Sequence, residues 1–211
     1  MTPREIIASI PSHVKLIAVS KLHSKEEIEE LAKLGCDTFG ENRVQELKQK
    51  YDPKYHWHMI GQLQRNKVKD VLPYVDMIQS VDRLSLVQEI EKQCVKLQKE
   101  IDVLIEVNIS REAQKGGIKP EQCLDFLKTV MTFPHIHVKG LMCVGPLCDD
   151  EAKIHSCFME MHHLYQQAKQ LNPHIDTLSM GMSDDYHIAI ECGANMIRLG
   201  TILFGERDYS K

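Results

Sequence analysis

Residues 16–35 read LIAVSKLHSKEEIEELAKLG, and this stretch sets the pattern for the whole chain. Its first five residues, LIAVS, form a short apolar run of the kind that builds a strand buried on both faces. In 24–34, Ile28, Leu31, Ala32 and Leu34 recur at helical spacing between charged residues. Ser24 is placed to cap that helix, Glu27 stands three residues on to complete a capping box, and Gly35 ends it. One strand leading into one helix is the unit that the rest of the chain repeats.

Seven more apolar runs follow at 37–40, 56–60, 75–79, 102–108, 137–142, 176–180 and 196–199. Amphipathic stretches separate them. Segment 82–99 opens on Asp82 as its expected cap, with Leu84, Val87, Ile90, Cys94 and Leu97 as an apolar stripe, and 120–131, 150–171 and 184–192 behave similarly. At the start of the chain, Thr2, Pro3 and Glu5 predict a short N-terminal helix with a capping box. Strict strand–helix alternation implies parallel pairing with helices outside, and eight repeats imply a closed (β/α)8 TIM-type barrel. An open doubly wound sheet is the alternative. It calls for a Gly-rich turn after the first strand, where this chain has Ser20-Lys21-Leu22-His23-Ser24. With no linker composition and no low-complexity tract, residues 1–211 are expected to form one domain.

Composition narrows the function. The net charge of −4 argues against a nucleic-acid partner, and no apolar run approaches the length of a membrane span. The first thirteen residues lack the long apolar core of a secretory signal. Seven scattered cysteines (36, 94, 123, 143, 148, 157, 192) with no C-x-x-C pair fit free thiols in a reducing compartment, so the expected location is the cytoplasm. His56 and His58 share a strand face, but no set of histidines and cysteines matches a zinc spacing with enough ligands, and no metal is expected. The basic run 65–69 (RNKVK) lacks interleaved aromatics and reads as a solvated helix face.

In parallel barrels, chemistry gathers where strands end. Lys21 follows the first strand on the same face as Ile17 and Val19, so an inward Val19 carries Lys21 inward to the top layer. Partial desolvation there lowers an amine's pKa and favours the neutral nucleophile that attacks an aldehyde; a solvated lysine ending a strand is the plain alternative. Ser179-Met180-Gly181-Met182-Ser183 and Arg198-Leu199-Gly200-Thr201 end strands seven and eight, where barrels commonly hold phosphate. Gly181 and Gly200 let the backbone approach, Ser179, Ser183 and Thr201 supply hydroxyls, and Ser183 is expected at a helix start that favours an anion. An ordinary glycine turn with Ser183 as an N-cap fits the same residues. Arg198 either presents a permanent charge to the mouth or forms a structural ion pair. Asn42 can meet a ligand ring or cap the helix carrying Val44 and Leu47.

With these residues laid out, the chain resembles the YggS/PROSC-like pyridoxal phosphate homeostasis proteins, which share the alanine-racemase-like barrel. The resemblance runs from about residue 14 to 207, through LIAVSK (16–21), FGENRVQE (39–46), WHMIGQLQRNKVK (57–69), LSMGMSDDYHIAIECGANMIRLG (178–200) and LFGER (203–207). It implies that Lys21 carries pyridoxal 5′-phosphate (PLP) as a Schiff base. It further implies that Ser179, Gly181, Ser183, Gly200 and Thr201 form a phosphate cup, that Arg198 faces the pyridine nitrogen, and that Asn42 contacts the ring. Lys67 and Lys115 fall in family-like stretches and receive no role.

An arginine at the pyridine nitrogen leaves it unprotonated and weakens the ring as an electron sink. Alanine racemases draw a second base, a tyrosine, from an additional β domain, which is expected to be absent here because the sequence ends about six residues after Phe204-Gly205. Tyr186 and Tyr209 read more simply as packing and tail residues. The expected role is therefore a monomeric PLP carrier without significant turnover, with no catalytic residue, that buffers the aldehyde and passes it to apo-enzymes. An amino-acid racemase is the alternative; a PLP-free sugar-phosphate barrel and an interaction scaffold are more distant ones.

Overall fold

The structure is a computed structural model and describes residues 1–205. Eight parallel strands close into a barrel in chain order, the last pairing with the first. They are β1 (Lys15–Val19), β2 (Thr38–Glu41), β3 (His56–Met59), β4 (Met77–Val81), β5 (Ile101–Glu106), β6 (Ile136–Met142), β7 (Thr177–Ser179) and β8 (Met196–Leu199). Closure rests on four register pairs between β1 and β8, from Lys15 with Met196 to Ala18 with Leu199. The open-sheet alternative is thereby excluded.

The helices are α1 (Pro3–Ser9), α2 (Lys25–Lys33), α3 (Val44–Lys50), α4 (Val68–Val71), α5 (Leu84–Leu97), α6 (Cys123–Val130), α7 (Glu151–Leu171), α8 (Tyr186–Glu191) and α9 (Thr201–Phe204). Both predicted capping boxes form, Thr2 with Glu5 on α1 and Ser24 with Glu27 on α2. Gly35 ends α2 at φ +100°, a conformation that costs glycine little. Asp150 caps α7 by accepting from the Lys153 amide.

Some local expectations shift. β4 begins at Met77, two residues late, because Tyr74 closes a turn on Val71 and Asp76 is spent on β3: its carboxylate meets His56 and its amide reaches the Trp57 carbonyl. Asp82 does not cap α5. It pairs with the guanidinium of Arg83, which is itself the N-cap residue and makes no side-chain cap bond. The buried stripe of α5 is Leu86, Val87, Ile90 and Cys94, while Leu84 and Leu97 face solvent. The stretch from 120 starts as a 3₁₀ turn, Pro120–Gln122, before α6 begins. The basic run is a 3₁₀ turn (Arg65–Lys67) that continues into α4.

Two layers of apolar packing follow from strand alternation. Phe39, Trp57, Ile78, Ile105, Leu141, Leu178 and Ile197 pack outward under the helices. Ile17, Met77, Leu104, Met142 and Met196 fill the barrel interior, joined near the mouth by Val144. Above this floor the inward positions turn polar: His58, Gln79, Ser179 and Arg198 are all buried. Among the described residues, no helix is long and apolar enough to cross a membrane.

Gly140 in β6 shows how tightly the barrel closes, since a Cβ there would land on the carbonyl of Thr177 in β7. Gly140→Ala must push the two strands apart. The expected loss in urea denaturation is about 3 kcal/mol or more; a loss under about 1 kcal/mol would show that the β6–β7 seam is slack.

Candidate functional site at the C-terminal mouth of the barrel

The first strand leaves the barrel through a tight turn. The His23 amide donates to the Ser20 carbonyl at 3.1 Å, so Ser20-Lys21-Leu22-His23 closes on itself. Lys21 sits half-buried just beyond β1, and Leu22 takes φ +66°, the left-handed region that the third position of such a turn requires and that glycine or asparagine usually fills. The Leu22 amide donates to Glu46 Oε2 at 2.7 Å. His23, also buried, stacks on Phe204 of α9 with ring centroids 4.4 Å apart. The lysine turn is thereby tied to the element that follows β8.

The loops after β7 and β8 are knitted to each other. The Arg198 amide donates to the Gly181 carbonyl at 3.0 Å, and the Gly200 amide donates to Ser183 Oγ at 3.3 Å. Gly181 has φ +95°, and a Cβ on it would lie 2.6 Å from that of Ala189; this position admits only glycine. Ser183 does not cap a helix. α8 starts at Tyr186 with Asp185 as its N-cap residue, and Asp185 Oδ1 accepts from the Met182 amide at 2.6 Å. The sequence placed the helix start too early because Ser183 is a favoured cap, whereas the carboxylate two residues on takes the loop amide instead. Thr201 opens α9 and is exposed.

Arg198 points into the barrel and is 4% exposed. It donates to Ser179 Oγ and to the Cys143 carbonyl, both at 2.7 Å. Ser179 Oγ in turn donates to Gln79 Oε1 at 2.7 Å, and Gln79 Nε2 lies 2.9 Å from His58 Nδ1. Burial holds His58 down to about 3, so its imidazole is neutral and the chain carries a single positive charge, at its upper end. Burial also pulls Arg198 below its usual value, opposed by Cys143, Asp185 and Glu106. A guanidinium keeps its proton under such a shift.

Two carboxyls face this charge, one half-buried (Glu106) and one buried (Asp185). Glu106, the last residue of β5, is pushed up to about 7 by burial and then by the Asp82 carboxylate, with Arg198 and Arg83 acting in the opposite sense. Asp185 is raised by burial, offset by the Met182 amide and by Arg198. The structural ion-pair alternative for Arg198 therefore has acidic neighbours, yet its recorded hydrogen bonds go to a hydroxyl and a carbonyl.

Asn42 does not cap α3: Arg43 is the N-cap residue and makes no side-chain bond there. Asn42 Oδ1 is instead buried with no hydrogen-bond partner among the described residues, a costly arrangement that a ligand donor would relieve. Tyr186 is buried in the helix layer and packs there, and Tyr209 lies outside the described residues. Asn108, just beyond β5, and Ser80, in β4, brace loops by donating to the Glu112 and Gly61 carbonyls. Lys115 likewise binds the Gly145 carbonyl and Glu112. Among the described residues, no group of three or more His, Cys, Asp or Glu is placed to hold a metal ion.

Sequence reasoning missed one cluster. Behind the lysine turn, Lys50 is 9% exposed and its amine donates to Ser20 O, Glu41 Oε1 and Glu46 Oε2 at 2.7, 2.9 and 2.9 Å. Ser20 Oγ also donates to Glu41 Oε1. The signal was present in FGENRVQELKQK, where Glu46 and Lys50 are four apart on a helix, but no sequence rule says that such a pair is buried.

A parallel barrel with a lysine turn after β1, glycine and serine loops after β7 and β8, and a buried arginine between them defines a class of (β/α)8 domain with its candidate site at the C-terminal mouth. The alanine racemase N-terminal domain model matches residues 4–208. The pyridoxal phosphate homeostasis protein of Pasteurella multocida is 44% identical over 209 residues, 95% of this chain and 89% of that protein. PipY of Synechococcus elongatus PCC7942, solved without PLP, superposes with a TM-score of 0.90 at 32% identity, over 95% of this chain and 97% of that one. Its PLP-bound form gives 0.87 at 31%, with the same coverage. The chain belongs to the alanine racemase N-terminal domain family and, within it, to the pyridoxal phosphate homeostasis proteins.

Glu106 gives the site a pH signature. Its folded pKa lies above its ordinary 4.5, so its neutral form is favoured in the fold; that stabilisation is complete below about 4.5 and is lost as pH rises through about 7. Glu106→Gln, fixed neutral, is expected to match the parent below pH 4.5 and to exceed it by ~1–3 kcal/mol at pH 8. Equal stability at pH 8 in chemical denaturation would contradict this.

Proposed function

We propose that this protein binds PLP at the C-terminal mouth of its barrel, held as a Schiff base on Lys21, and acts as a reserve of the cofactor without significant turnover. The bound cofactor supplies an aldehyde that condenses reversibly with an amine. Lys21 supplies that amine, from the turn between β1 and α2. The backbone around Gly181, Ser183 and Gly200, with the Thr201 hydroxyl and the nearby Arg198 charge, receives the phosphate. Ser179 fixes the guanidinium by accepting from it. Asn42 brings an unsatisfied oxygen to the ring. The names of the relatives and the PLP-bound form of PipY support the same cofactor.

The observation that carries the non-catalytic reading is Arg198. A buried guanidinium facing the pyridine nitrogen would be a permanent donor, so it could not keep that nitrogen protonated as an acid partner does. Electron withdrawal into the ring is correspondingly weak. Tyr186, the one tyrosine considered as a second base within the described residues, is committed to helix packing. The recipients of released cofactor are apo-enzymes that use PLP. We place the protein in the cytoplasm as a monomer of one domain.

Borohydride reduction of the PLP-loaded protein, followed by peptide mass mapping, is expected to give a pyridoxyl adduct on the peptide containing Lys21 and none in Lys21→Ala. In deuterated buffer, the same protein should exchange the α-proton of alanine no faster than free PLP does. An adduct confined to another lysine overturns the site; exchange far above the free-cofactor rate overturns the reserve role.

A further inference from the structure

The buried cluster behind the lysine turn is too specific in its targets to be a simple strut between α3 and the barrel. Lys50 has three N–H donors and three acceptors, one of them the carbonyl of Ser20. Glu46 Oε2 accepts from Lys50 and from the amide of Leu22. Ser20 and Leu22 are the residues on either side of Lys21. Two charged groups from α3 thus grip the backbone immediately before and immediately after it.

This grip opposes a local cost. A leucine at φ +66° is strained, because its Cβ crowds the neighbouring carbonyl in the left-handed region. The Leu22 amide, turned out of the strand ladder, finds its acceptor in the Glu46 carboxylate, and hydrogen bonds to charged groups are the stronger kind. Lys50 in turn holds Glu46 in place and balances the fully buried Glu41, whose second oxygen has no partner among the described residues. Burying Lys50 and Glu41 without such partners would be strongly unfavourable. A cluster needed only to fasten α3 had no reason to spend two bonds on the peptide groups flanking one lysine.

We infer that Glu46 and Lys50 are positioning residues for Lys21: they fix the turn that aims its amine at the cofactor and so set how firmly the cofactor is retained. The inference rests on the reading that Lys21 carries PLP. Neither residue touches the cofactor. Both act through the backbone of residues 20–22, so they control the direction of the Lys21 side chain and the geometry of the Schiff base that it forms.

The test uses the full chain loaded with PLP, as parent, Glu46→Ala, Lys50→Met and Lys50→Arg. Leu127→Ala serves as a destabilised control, because Leu127 is buried in α6 and makes none of the cluster's bonds. The readouts are the pH midpoint of the visible absorbance band of the bound cofactor and the rate of release into a semicarbazide trap. Glu46→Ala and Lys50→Met are expected to release PLP roughly tenfold faster, the scale of one lost charge-assisted hydrogen bond, and to shift the midpoint. Lys50→Arg should recover part of both, and Leu127→Ala should leave the midpoint in place. If Lys50→Met does not fold, Glu46→Ala decides, since that side chain lies at the edge of the cluster and is partly exposed. Parent-like midpoint and release in Glu46→Ala overturn the proposal, as does an equal shift in Leu127→Ala. Absence of a Lys21 adduct in the reduced parent instead overturns the underlying reading, so the two failures are separable.

Discussion

A positive charge that cannot be neutralised sits inside the barrel above an apolar floor, and much of the site is arranged around that fact. Taking a guanidinium out of water is expensive unless its donors are met and its field is answered. Here Ser179 and the Cys143 carbonyl meet two of the donors of Arg198, and the Glu106 and Asp185 carboxyls answer the field from β5 and from the start of α8. The polar chain below it, Ser179 to Gln79 to His58, ends on a neutral imidazole. Burial raises both carboxyls above their ordinary values, Glu106 to about 7, and Arg198 acts on each in the opposite sense.

The buried charge of Arg198 lies beside the turn that bears Lys21. β1 and β8 are hydrogen-bonded neighbours, with Ile17 opposite Arg198, so the turn bearing Lys21 and the loop bearing Gly200 leave the barrel side by side. The His23–Phe204 stack fastens one to the other. Under the proposed reading, the two chemical requirements of a phosphate-bearing aldehyde, a place for the phosphate and a nearby amine, fall on adjacent strands. Near the ends of β5 and β4, Asn108 and Ser80 serve the scaffold instead.

Much of this was legible from residue order. Alternating apolar runs located every strand to within about two residues, because burial on both faces writes a short continuous hydrophobic signature. Caps at Thr2 and Ser24 were readable because both partners of the box lie within four residues. Legibility failed where the deciding partner lies elsewhere in the fold. Asp82 looks like a cap until Arg83 takes it; Ser183 looks like a cap until Asp185 captures the Met182 amide. The α5 stripe was misaligned because Leu84 and Leu97 are apolar yet exposed. Glu106 reads as an ordinary strand residue, and only closure of the barrel buries it facing Arg198. Lys50 reads as one more helical lysine, and only the packing of α3 on β2 turns it into a buried clamp.

The account stands or falls on where the two ends of the ligand lie. A crystal structure of the protein loaded with PLP tests this most directly. It should show continuous density from Lys21 Nζ to the aldehyde carbon, with the phosphate within hydrogen-bond reach of Ser183, Gly200 and Thr201 and the pyridine nitrogen facing Arg198. An unmodified Lys21, or a phosphate seated away from the β7 and β8 loops, would contradict it.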